Sequence, residues 1–133
     1  SAYQLWSNSP LLGIGIGNFE NYFNLYLDPR SEFYGQTMHA HSNFMQLLAE
    51  TGIVGVIAFI FMFCQLSLHH YRAAMTSNTD QWQKTTALGV LLLTVTLFIQ
   101  GAVEYNLGAA VVARQFWFFT AVAFAAYQIP AGK

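Results

Sequence analysis

Apolar residues in this chain collect into three runs that leave almost no room for charge. The first is Ile53 to Leu68, extended backwards by Phe44, Met45, Leu47, Leu48 and Ala49. The second, Ala87 to Val103, holds no charged residue, and the third, Leu107 to Tyr127, is interrupted only by Arg114. A helix needs about 20 apolar residues to cross a hydrocarbon core of ~30 Å. The pattern predicts an all-α polytopic membrane protein with three transmembrane helices over about 43–68, 86–103 and 107–128.

Residues 1–42 follow a different pattern. Asn8, Pro10, Gly13, Gly15, Gly17, Asn18, Pro29 and Gly35 interrupt any long helix. Phe19 to Leu27 can form two turns of helix after an Asn18 cap. Tyr3, Trp6, Phe19, Tyr22, Phe23, Tyr26, Phe33 and Tyr34 suit a segment lying at the lipid headgroups. The stretch reads as part of an extracytoplasmic, periplasmic loop packed on the membrane surface.

Charge fixes the expected orientation. The connection His69 to Lys84 carries Arg72 and Lys84 against Asp80, and the tail ends in Lys133. On the other side, Glu20, Asp28 and Glu32 face only Arg30, and Glu104 lies in the second short connection. By the positive-inside rule, residues 1–42 lie outside and residues 69–86 and the C-terminus inside.

Composition supports the membrane class. Charged residues make up 8% and hydrophobic residues 55% of the chain, against roughly 25% charged in soluble domains. The net charge of −1 offers no basic stripe to a nucleic acid, so none is expected as a partner. The lone Cys64 can form no intrachain disulfide. The chain opens Ser1-Ala2-Tyr3 without a signal peptide pattern, and the expectation is the C-terminal part of a longer membrane protein.

Chemistry concentrates at His39-Ala40-His41-Ser42-Asn43. Ser42 or Asn43 can cap the following helix, and Asn43 with Gln46 resembles a capping box. His41 then stands at the first turn of the first span, where the positive end of the helix dipole disfavours imidazolium. A neutral imidazole can accept a proton as a general base; the same residue could instead be a hydrogen-bonding interfacial histidine.

His39 and His41 have a spacing that a metal could use, but zinc asks for three or four ligands. His69 and His70 lie a span away, and nothing in the spacing of Glu20, Asp28, Glu32 or Glu104 completes a site. No metal is expected, and no cofactor. Leu12 to Asn18 lacks the spacing of a dinucleotide loop; its glycine-rich backbone could form an anion-binding nest, but it reads rather as a plain flexible or closely packed turn. Arg114, a charge inside a span, reads equally as a cation facing a pyrophosphate or as a partner of Glu104 or a snorkelling side chain. Gly52 and Gly55 read as small residues that let another helix approach. Glu50 reads as a packing or pairing residue.

The runs Ser9-Pro10-Leu11-Leu12-Gly13-Ile14-Gly15, Gly17-Asn18-Phe19, His39-Ala40-His41-Ser42-Asn43 and Leu48-Ala49-Glu50-Thr51-Gly52-Ile53-Val54-Gly55 resemble the O-antigen ligase and polymerase superfamily, and the ligases most. The ligases carry a His with a polar neighbour, nine residues, then two spaced glycines; His41-Ser42, Asn43 to Thr51, Gly52 and Gly55 fit that pattern. Phe116-Trp117 also looks familial.

The resemblance implies a multi-pass glycosyltransferase of the bacterial inner membrane, independent of metal, with its active site facing the periplasm. Its donor would be an undecaprenyl-pyrophosphate-linked glycan. Its acceptor would be the lipid A core in a ligase, another lipid-linked repeat in a polymerase, or a protein hydroxyl in an oligosaccharyltransferase. His41 would be the base, with His39, Ser42, Asn43 and Arg114 around the substrates. The family's pyrophosphate-holding arginines would precede Ser1, so this stretch alone would be inactive. The competing readings are a transporter segment with His39, His41 and Arg114 along a polar pathway, and a non-catalytic membrane subunit.

Overall fold

The computed structural model describes residues 2–25, 28–32, 34, 39–76 and 80–128. Tyr26, Leu27, Phe33, Gly35 and Lys133, which entered the reading above, lie outside the described residues. The described chain is helical: α1 (Ala2–Asn8), α2 (Phe19–Leu25), α3 (Asn43–Met75), α4 (Gln81–Gln100), a 3₁₀ turn (Asn106–Gly108) and α5 (Ala110–Tyr127). Helices α3, α4 and α5 are each long and apolar enough to cross a membrane. Their exposed faces carry Ile53, Ile57, Ile60 and Phe61 on α3, Leu88, Leu92 and Ile99 on α4, and Val111, Phe118 and Val122 on α5. Such faces are unfavourable in water and natural against lipid.

The chain divides into two compact units, one of residues 1–60 and 101–105, the other of residues 61–100 and 106–133.

In the first unit, Leu5, Phe19 and Ala49 form a buried cluster on which Ala2, Ile14, Phe23 and Ala40 pack. Phe19 and Phe23 stack with ring centroids 5.5 Å apart. Phe19 therefore points into the protein, while Tyr3, Tyr22 and Tyr34 stay exposed. One α-helical turn apart, Phe19 and Phe23 can share only one face of α2, and here that face is apolar and covered.

The organising feature is a break in α3. Gly52 has φ 65 and ψ −165, far from helical values. An unbroken helix would pair the Ile53 N–H with the Ala49 carbonyl and the Val54 N–H with the Glu50 carbonyl. Here the loop after α1 takes over all four groups. The Ile53 N–H donates to the Pro10 carbonyl at 3.0 Å and the Val54 N–H to the Leu11 carbonyl at 3.3 Å. The Ile14 N–H donates to the Ala49 carbonyl at 3.0 Å and the Gly15 N–H to the Glu50 carbonyl at 2.9 Å. Without such partners, each backbone group orphaned in an apolar setting would cost several kcal/mol.

This docking corrects the expected role of Gly52. Gly52 does not admit a neighbouring helix: a Cβ there would strike the Leu11 carbonyl. A Cβ on Gly13, which has φ +68, would strike the Glu50 carbonyl group. Of the flexible or closely packed turn expected over Leu12 to Asn18, the packed form is found, and what it packs on is the broken helix. Gly55 faces the side chain of its own helical neighbour Thr51.

In the second unit, α4 turns Gln83, Ala87, Val90, Thr94 and Leu97 inward, and α5 turns Phe116, Thr120, Ala123 and Ala126 inward. Spacings of three and four residues keep each set on one face. Small residues there permit close approach in lipid. The Gln83 side-chain amide donates to the Ala126 carbonyl at 2.7 Å. Thr94 and Thr120 return their hydroxyls to the carbonyls of Val90 and Phe116. Phe63 stacks on Phe116 with centroids 5.6 Å apart and planes 5° from parallel.

Candidate active site

The first turn of α3 builds the site. Ser42 is the N-cap: its carbonyl accepts the Gln46 N–H at 3.0 Å and its hydroxyl accepts the Met45 N–H at 3.4 Å. The expected capping box does not form. With Ser42 at the cap, Gln46 falls one position too late to return to the cap backbone, and its side-chain carbonyl accepts the Ala40 N–H at 2.9 Å instead. The His39–His41 segment is thereby fastened to the helix it precedes.

Below Gln46 lies a buried polar chain. The Gln46 amide donates to Glu50 Oε1 at 2.9 Å, and the same oxygen accepts the Phe19 N–H at 3.2 Å. Both side chains are buried. Glu50 thus joins the histidine segment to the loop clamped on α3, in keeping with a pairing role.

A second connection comes from a distant part of the chain. The Gly101 carbonyl accepts both the Ser42 hydroxyl at 3.1 Å and the Asn43 N–H at 2.8 Å. This ties the turn at 101–105 to the start of α3. Glu104 Oε1 accepts the Tyr105 N–H at 3.1 Å and stands 4.0 Å from His39 Nε2. The His39 ring lies against His41, centroids 4.5 Å apart, and against Tyr105 at 5.6 Å.

Burial, with a smaller contribution from the Glu50 carboxylate, holds the Tyr105 phenol above its ordinary pKa. It stays protonated at neutral pH and can act as a donor.

Among the site residues expected from sequence, His39 and His41 stand together on the surface, and Ser42 and Asn43 are buried beneath them. Ser42 places its hydroxyl on the cap and on the Gly101 tie, and Asn43 gives its backbone N–H to the same carbonyl, which together fix the placement of His41. His41 has φ 50, a left-handed backbone uncommon outside glycine. That conformation turns the chain sharply into α3 and leaves the ring exposed. Arg114, one turn into α5 in the other unit, is exposed and makes no ion pair among the described residues. Glu104 has His39 beside it.

The residues missed from sequence are Glu104, Tyr105 and Gln46. Donor atoms of His39, His41 and Glu104 lie within 4.8 Å of one another. Two imidazoles and a carboxylate in reach of one point can carry a proton between them. The same three groups are the kind that can hold a divalent ion, with water completing its coordination.

The class these features define is a multi-pass helical membrane protein whose exposed histidine pair crowns an apolar helix. Residues 1–60 match the family model of the O-antigen ligases. The match covers the histidine segment, the clamped loop and the helix break together, and over that stretch the chain is similar to the O-antigen ligases, a likeness that supports the ligase/polymerase superfamily and its glycan-transfer chemistry. No curated protein and no solved structure matches the chain.

Proposed function

We propose that this chain is part of an enzyme transferring a glycan from undecaprenyl pyrophosphate to an acceptor hydroxyl, with His41 as general base. The observation that carries the reading is the exposed His41 ring at the cap of an apolar helix, inside the stretch that matches the family. In the reaction, the acceptor oxygen forms a bond to the anomeric carbon as the bond from that carbon to the pyrophosphate oxygen breaks. The acceptor proton passes to His41, and the leaving group departs as lipid pyrophosphate. A single displacement of this kind inverts the anomeric centre.

The chemical demand is limited, because pyrophosphate is already a good leaving group. The enzyme has to neutralise its growing charge and remove the acceptor proton. Arginine suits the first task through its forked donors, and Arg114 is the cation of this chain assigned to it. His41 and its neighbour His39 serve the second, on the periplasmic side of the inner membrane and without metal. The acceptor of first choice is the lipid A core, the ligase reaction.

The test is His41→Ala in the full-length protein expressed in cells lacking the native gene. Loss of surface glycan, with full-length glycan retained on its lipid carrier, is the expected result. Glycan attachment at wild-type levels overturns the assignment.

A further inference from the structure

Glu104 lies more than sixty positions beyond His41 in sequence, yet its carboxylate is held in place beside the histidine pair. Three observations fix it there. The carboxylate accepts the N–H of its own neighbour Tyr105, which sets its direction. The turn that carries it is tied through the Gly101 carbonyl to both Ser42 and Asn43, the residues directly after His41. Its oxygen then faces His39 Nε2, and the His39 ring in turn lies on His41.

We infer that Glu104 is a positioning residue for the proposed base: it orients His39 against His41 and stabilises the positive charge that forms when His41 takes the acceptor proton. The inference rests on the reading of His41 given above. A carboxylate within 4.8 Å of that nitrogen gains attraction only once the imidazolium exists. It therefore favours the transition state over the bound substrates, and its effect belongs in kcat. The same negative charge repels pyrophosphate. Glu104 consequently marks the flank of the site taken by the neutral acceptor hydroxyl, with the donor's phosphates on the side away from it.

The experiment uses the purified full-length protein in nanodiscs, with lipid-linked glycan as donor and the acceptor glycolipid, and compares Glu104→Gln, Glu104→Asp and His41→Ala. Glutamine keeps an oxygen for the Tyr105 N–H, so folding is retained and is checked by thermal melting. Glu104→Gln is expected to lower kcat about tenfold with both KM values unchanged, as loss of one nearby charge predicts. Glu104→Asp should restore kcat to within about threefold of wild type, since the charge is kept. In a His41→Ala background, Glu104→Gln should remove nothing further.

If His41→Ala is inactive while Glu104→Gln keeps its full kcat, or loses activity only through KM or through a lowered melting temperature, the positioning role is wrong and the base survives. If His41→Ala remains active, the base itself is wrong.

Discussion

Replacing Gly13 by alanine tests the docking of the loop on α3 more directly than any other change. Two costs add. Alanine at φ +68 occupies a left-handed conformation, at about 1–2 kcal/mol. Its Cβ also meets the Glu50 carbonyl group, and forced overpacking of this kind costs about 1–3 kcal/mol. The total, roughly 2–5 kcal/mol, falls on the contact in which Ile14 and Gly15 pair with Ala49 and Glu50. Gly17 supplies the control. It has φ +77, but an alanine methyl group there would meet nothing within 4 Å, so Gly17→Ala carries only the conformational cost of about 1–2 kcal/mol. Amide hydrogen exchange read at peptides covering Ile14–Gly15 and Ile53–Val54 separates the two. Gly13→Ala should exchange there about 5- to 150-fold faster than Gly17→Ala, the ratio for an extra 1–3 kcal/mol of opening. Equal exchange in the two variants would refute the idea that steric contact with the broken helix is what Gly13 avoids.

Other substitutions and conditions follow the same logic. Glu50→Ala leaves the Phe19 N–H and the Gln46 amide without their acceptor and should destabilise by about 1–3 kcal/mol in a detergent melt, whereas Glu50→Gln, which keeps an oxygen, should cost less than about 1 kcal/mol. Chelation with EDTA should leave glycan transfer by the full-length protein unchanged; activity lost on chelation and restored by zinc would make His39, His41 and Glu104 a metal centre. Tyr105, whose phenol is held above its ordinary value, adds stability that is present below pH about 10 and lost as pH rises through the folded value. Tyr105→Phe should remove that alkaline loss from a pH series of melts, and an unchanged series would show that the phenol does not govern it.

The helices were legible where one physical signal dominated. Low charge and long apolar runs specify helices able to cross a membrane, and the Ser42 cap follows from a hydroxyl placed just before an apolar run. The histidine segment was legible because His39, His41 and the two glycines are close enough in sequence to form a pattern. Glu104 was not, since its approach to His39 depends on hydrogen bonds to Gly101 that no local spacing encodes. The break at Gly52 was hidden for another reason. A glycine within an apolar run signals close packing, and the sequence does not reveal whether the close neighbour is another helix or a loop with its own glycine. Asn18 shows the same limit: its position fits a cap, yet its side-chain amide donates to the Ile14 carbonyl.

The exchange of backbone partners at Gly52 bears on how the protein is made. Ribosomes deliver the Ser9–Asn18 stretch before the helix it will grip, so the backbone groups it contributes are already made when the apolar segment reaches the lipid. A version lacking that stretch could keep its amides satisfied only by winding through as a straight rod, and the histidines would then stand on a differently angled post. Formation of the break and placement of the histidines would thus fail together from a deletion more than twenty positions before His41.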